Sequence, residues 1–239
     1  MTLVKCNISD GIARITMDDG KANAISLKML DNLNHALDQA AAAGATVILS
    51  GRAGIFSGGF DLTELRGTPE QLHNLLHGGA ALSLRLLSFP HPVIAACTGH
   101  AFPMGAFILM SSDVRIGIEG AYGIGMNEVR IGIAAPRFAM ELARFRLTGA
   151  HFNRTAILGE MFGPTEARDA GFLDQVVPSD QLETTLAEKI QDLQSVATIP
   201  HQVSKERVRQ PLIDLMRQVI DQDLTLENAR RSLQQQGRA

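Results

Sequence analysis

A short apolar run, then a glycine-rich turn, then a helical pattern: this succession recurs along the chain and constrains its fold more than any other feature. Residues 46–50 (Thr-Val-Ile-Leu-Ser) read as a buried strand, and the loop 51–62 behind them carries Gly51, Gly54, Gly58 and Gly59. Leucines at 72, 75, 76, 82, 86 and 87 then mark one face of a helix over 69–87. The order repeats with a second buried strand at 93–97 and the stretch 98–113, Thr-Gly-His-Ala-Phe-Pro-Met-Gly-Ala-Phe-Ile-Leu-Met-Ser-Ser-Asp, which passes from loop to apolar helix. A third strand is expected at 114–118. Strand–loop–helix succession makes an α/β fold of parallel strands with helices packed on them.

Around this frame, Asp10-Gly11 between two strand-like runs predicts a hairpin over 4–17. Ser26 caps a helix whose Leu27, Leu30, Leu33, Ala36 and Leu37 share a face, and Gly44 ends it. Helices are expected over 136–147, 148–158 and 163–171, and a strand over 172–177. Beyond 178 the pattern is all helical, over 180–197, 200–208 and 211–232, with Pro211 separating the last two. The change divides the chain into a core, 1–178, and a helical region, 179–239, that forms a subdomain or an oligomerisation segment.

The 239 residues suffice for a real core, and a net charge of −3 argues against nucleic acid or an anionic membrane as partner. Cys6 and Cys97 make neither a disulfide framework nor a zinc motif. With no apolar run of membrane length and no leader-like start, a cytoplasmic location is expected.

Pro103 suits the first helical position, so the next amides, of Met104 and Gly105, lack intrahelical partners. Free amides at a helix start bind an anion or a developing oxyanion; a tight turn with close helix–strand packing is the alternative. Parallel strands bring their carboxyl ends together, so the amides of Gly58 and Met104 are expected to converge on one carbonyl oxygen. Neither loop has a phosphate-cradling pattern. Glu128, in a glycine-flanked apolar neighbourhood, is either a surface glutamate or an acid–base group whose pKa burial raises. Glu141 is a weaker candidate, since its helical spacing leaves its direction open. His73 and His77, spaced i,i+4, lack a third ligand and suit a solvated face, and no metal is expected. His100 has no nucleophile partner for a triad. Lys21 and Arg52 are surface cations by default.

The motifs, in their order, resemble the crotonase superfamily, the enoyl-CoA hydratase/isomerase family. Lys21-Ala22-Asn23-Ala24 resembles the basic-x-Asn-Ala turn of that family. Phe56-Ser57-Gly58-Gly59-Phe60-Asp61-Leu62 resembles its first oxyanion loop, and residues 98–113 resemble its second, normally Asn-Gly-x-Ala-x-Gly-Gly-Gly and an apolar helix ending in Cys-Asp. Glu128-Val129 with Ile131-Gly132, and residues 158–177, resemble later family segments. The resemblance implies a crotonase-like spiral of β-β-α turns, C-terminal helices serving a homotrimer or a dimer of trimers, and an acyl-CoA thioester as substrate with no further cofactor. It implies that Gly58 and Met104 donate to the thioester oxygen, that Lys21 lies near the CoA phosphates, and that Ala22, Ala24, Asp61 and Leu62 line the CoA.

Two departures stand out. Gly-Gly-Gly becomes Pro103-Met104-Gly105, which keeps the donor amide. The position of a catalytic glutamate in hydratases holds Phe107, while the second family glutamate is kept as Glu128. One carboxylate moves a proton between C2 and C4 of an enoyl thioester more readily than it both activates water and delivers a proton. The expectation is therefore isomerase-type chemistry at Glu128. The alternatives are a hydratase, or another crotonase-type lyase or hydrolase, drawing a second acid such as Glu141, and a non-catalytic acyl-CoA-binding protein.

Overall fold

Ser9 faces Ile12 across Asp10 and Gly11, whose φ angles of 51° and 74° make the two-residue turn of a hairpin between β1 (Val4–Ser9) and β2 (Ile12–Met17). The computed structural model, which describes residues 2–236, continues with α1 (Leu27–Ala42), where the Ser26 hydroxyl accepts the Met29 amide. β3 (Thr46–Ser50) then pairs parallel to β2.

The glycine-rich stretches expected to be loops contain short strands of their own. β4 (Gly54–Ser57) precedes α2 (Leu62–Leu65) and α3 (Pro69–Leu87), the latter opened by a capping box of Thr68 and Gln71. β5 (Val93–Cys97) is followed by β6 (Gly99–Ala101) and α4 (Pro103–Ser111). β7 (Val114–Ile118) is followed by β8 (Ile124–Gly125) and a 3-10 turn, Glu128–Ile131. Each turn of chain thus lays one strand in a large sheet and one in a small sheet. The large sheet runs β1-β2-β3-β5-β7-β10 and the small one β4-β6-β8-β9. All neighbouring strands are parallel except the first hairpin and the β8–β9 pair.

The remaining elements are α5 (Arg137–Arg146), α6 (Gly149–Leu158), β9 (Met161–Phe162), α7 (Pro164–Ala170), β10 (Gln175–Val177), α8 (Leu182–Gln194), α9 (Thr198–Asp223) and α10 (Leu226–Gln236). α4 is apolar all round and wholly buried. The core around it includes Leu212, Met216 and Ile220 of α9 and Ala229 of α10, so these helices share one apolar core with residues before 178. Pro211 does not break the chain. It lies within α9 on an exposed face, where the Arg207 carbonyl that loses its donor can meet water. The break falls instead at Leu224. No helix among the described residues is long and apolar enough to cross a membrane.

Candidate active site

The turn 19–24 organises the first loop from beneath. Asp19 accepts the amides of Lys21, Asn23 and Ala24, and holds Asn23 at a φ of 51°. The Asn23 carboxamide, fully buried, donates to the carbonyls of Met17 (3.0 Å) and Phe56 (3.3 Å). In return the Ser57 hydroxyl donates to the Asn23 carbonyl. The Gly58 amide donates to the Ala22 carbonyl at 2.7 Å, so it is not the free donor the sequence leads one to expect.

The free amide is two residues on. Ile25 donates to the Gly59 carbonyl (2.7 Å) and accepts from Asp61 (3.0 Å), a parallel bridge that turns the Phe60 N–H the other way. That N–H has no acceptor among the described residues. Gly59 makes the turn with a φ of 91°, in the left-handed region that favours glycine. Asp61 caps α2 by accepting the Thr63 and Glu64 amides, which is a structural use of its carboxylate.

The second loop meets the first. The Phe102 amide donates to the Ser57 carbonyl (2.9 Å), and a methyl on Gly59 would touch the Pro103 ring at 3.5 Å. Pro103 is the first residue of α4, and no side chain caps that helix. The Met104 and Gly105 amides accordingly have no acceptor among the described residues. Gly105 is packed so closely that a Cβ there would lie 3.0 Å from the Ser57 carbonyl oxygen.

Glu128 opens the 3-10 turn after β8. Two side chains hold the approach to it: His100 Nδ1 accepts the Gly123 amide (2.9 Å), and the buried Thr155 hydroxyl accepts the Met126 amide (2.9 Å). Only 7% of Glu128 is exposed, and its Oε1 has no hydrogen-bond partner among the described residues. Burial pushes its pKa up to about 7, against a smaller opposing effect of its own backbone amide.

Glu128, Gly59, Phe60 and Pro103 line one cavity of about 700 Å³. Its other walls are α2 and α3, through Leu65, Leu72 and Leu76, and the C-terminal helices, through Leu224, Asn228 and Ala229. The sequence placed those last helices in a subdomain or an oligomerisation segment and did not anticipate them at the site.

Of the residues expected to line CoA, Ala22 and Leu62 border the cavity, whereas Lys21, Ala24 and Asp61 do not. Arg52 Nε donates to the Lys21 carbonyl at 2.9 Å. Glu141 pairs with Arg144 (3.4 Å) away from the cavity and supplies no second acid to it. Phe107 is core, edge-on to Phe138 at 5.7 Å between ring centroids. His73 borders the cavity and stacks on His77, and no group of three metal-ligating side chains occurs among the described residues.

Such an arrangement, an unpaired amide at Phe60, unpaired amides just past Pro103 and a buried carboxylate beside an apolar cavity on a β-β-α spiral, is that of an enzyme acting on an acyl group. The sequence profile described as enoyl-CoA hydratase/isomerase matches residues 7–237, and the chain belongs to that family, whose members act on acyl-CoA substrates. It is 43% identical to an enoyl-CoA hydratase/isomerase family protein of Pseudomonas syringae, with a TM-score of 0.91 over 93% of this chain and 96% of that one. An enoyl-CoA isomerase of Mycobacterium tuberculosis is 36% identical, with a TM-score of 0.88 over 92% and 96% of the two chains. Human mitochondrial enoyl-CoA delta isomerase 1 is 28% identical over 95% of this chain and 76% of its own length. The fold is the crotonase fold of these proteins.

Proposed function

We propose that the protein shifts the double bond of an enoyl-CoA thioester between the 3 and 2 positions, with Glu128 as the group that moves the proton. The observation that carries this reading is that Glu128 is the one buried carboxylate lining the cavity among the described residues, with Phe107 where a hydratase has its other glutamate; the other acid on the lining, Asp223, is half-buried and accepts the Arg137 amide. Ionised Glu128 takes a proton from C2, and the electron pair moves into the thioester carbonyl to give an enolate. The amides of Phe60 and Met104 donate to the enolate oxygen, each worth about 3 kcal/mol in the transition state. Protonated Glu128 then returns the proton to C4 as the C3–C4 double bond becomes C2–C3. The reaction consumes no water and needs no metal or redox group. Ala22 and Leu62 border the CoA arm, with Lys21 toward its phosphates. Relatives named as isomerases and relatives named as hydratases both resemble the chain, so their likeness supports the enoyl-CoA substrate and the carboxylate count supports the isomerase.

Glu128→Gln should lower turnover of a 3-enoyl-CoA by about a thousandfold while leaving the Kd for a saturated acyl-CoA within about twofold. Turnover at the wild-type rate would overturn the role. Rapid incorporation of labelled water at C3 of crotonyl-CoA would favour a hydratase instead.

The proposed assembly is a homotrimer or a dimer of trimers. Exposed apolar side chains on α6 and α9, among them Ile157, Leu158 and Ile199, support a buried interface. Light scattering on the eluted protein should give three or six times the mass of the 25.8 kDa chain.

A further inference from the structure

Phe60 and Met104 place large side chains on two of the positions whose amides are free, Phe60 at the cavity and Met104 next to Pro103, which lines it. A donor uses only its N–H, so both side chains must be stored elsewhere, and both go to Gly79 of α3. A Cβ on Gly79 would stand 2.4 Å from Phe60 Cζ, 2.6 Å from Phe60 Cε1 and 3.0 Å from Met104 Sδ. Gly79 is buried within a helix, where glycine is among the least favourable residues, and the helix opens a notch there for the ring. Leu76 and Leu72, about one and two turns earlier on α3, form the cavity wall that Phe60 extends. Met104 is fully buried behind it, so the open volume bordering the ring is the cavity itself.

We infer that Gly79 and the Phe60 ring set which acyl chains the enzyme accepts. Laid back in the notch, the ring leaves the depth of the cavity to a long acyl chain; pushed out of it, the ring fills that depth. The inference rests on the cavity being the acyl-CoA site. Its ligand class is thioesters whose chain extends well past C4, with short chains indifferent to the notch. Because the clash is with the far end of a ring, an added methyl swings the ring and does not displace the helix.

The test compares wild type, Gly79→Ala, Phe60→Leu and the double variant, by calorimetric Kd for butanoyl-CoA and dodecanoyl-CoA and by kcat/KM for short and long 3-enoyl-CoA thioesters. Gly79→Ala should weaken dodecanoyl-CoA by about tenfold or more and butanoyl-CoA by less than about twofold. The double variant should recover the long-chain affinity, which a general loss of stability would not do. Equal loss at both lengths, or no recovery in the double variant, overturns the inference. Length-selective binding without turnover in wild type would sink the proposed reaction and leave the gauge standing. Failure of wild type to bind either thioester would overturn both.

Discussion

Glu128 is set apart by the place it occupies, buried beside the cavity. A carboxyl raised from 4.5 to about 7 is neutral in both folded and unfolded chains below pH 4.5. As pH rises from there through 7, the unfolded chain ionises first and the folded state loses stability, by about 3 kcal/mol in total. Glu128→Gln has no such charge to bury. Its unfolding free energy relative to wild type should therefore rise between pH 5 and pH 8.5, as urea denaturation measures. Activity runs the opposite way, since the base works ionised: kcat/KM should climb with pH through an inflection near 7. At this scale the unpaired amide of Met104 and the burial of Glu128 were legible, one from the proline before it and the other from its apolar neighbours. Phe60 was not. Gly58 gives its amide to the Ala22 carbonyl while the bridge to Ile25 leaves that of Phe60 free, and both partners lie more than thirty residues away in sequence.

Elements matter here for how they aim short segments. The run from β8 to Glu128 has little hydrogen bonding of its own, and α6 steadies it through Thr155. Thr155→Val keeps the shape but leaves the buried Met126 amide without its acceptor, at a cost of about 1–3 kcal/mol. Its kcat should fall about tenfold to a hundredfold with KM little changed, and Thr155→Ser should restore it. The helices and large-sheet strands were legible because their apolar periodicity extends over several turns or residues. β4, β6, β8 and β9 were not, being two to four residues long, the first three with a glycine inside; each exists because a neighbouring strand offers it a partner. α9 passes Pro211 for a related reason, since packing against α3 and α5 outweighs one missing hydrogen bond.

Across the molecule, Asp113 ties the C-terminal helices to the centre of the sheet. Its carboxylate lies 2.8 Å from both Lys205 and Arg209 of α9 and also accepts the Val93 amide. These cations are buried, and burial pushes the Lys205 pKa down to about 8 despite the carboxylate beside it. Asp113→Asn would leave two buried cations without their counter-ion, and chemical denaturation should show a loss of about 3–5 kcal/mol. Since α9 leads into α10, which walls the cavity, the same change should weaken acyl-CoA binding. The sequence by itself determined the α/β class, the two loops, the unpaired amides of Met104 and Gly105 and a carboxylate candidate in Glu128 ahead of Glu141, because each follows from local periodicity, a proline at a helix start or the chemistry of one side chain. Only the tertiary structure decided which amide of the first loop is free, that Glu141 stands apart, and that the last helices close the cavity. Those depend on groups far apart in the chain competing for the same hydrogen bonds and the same space.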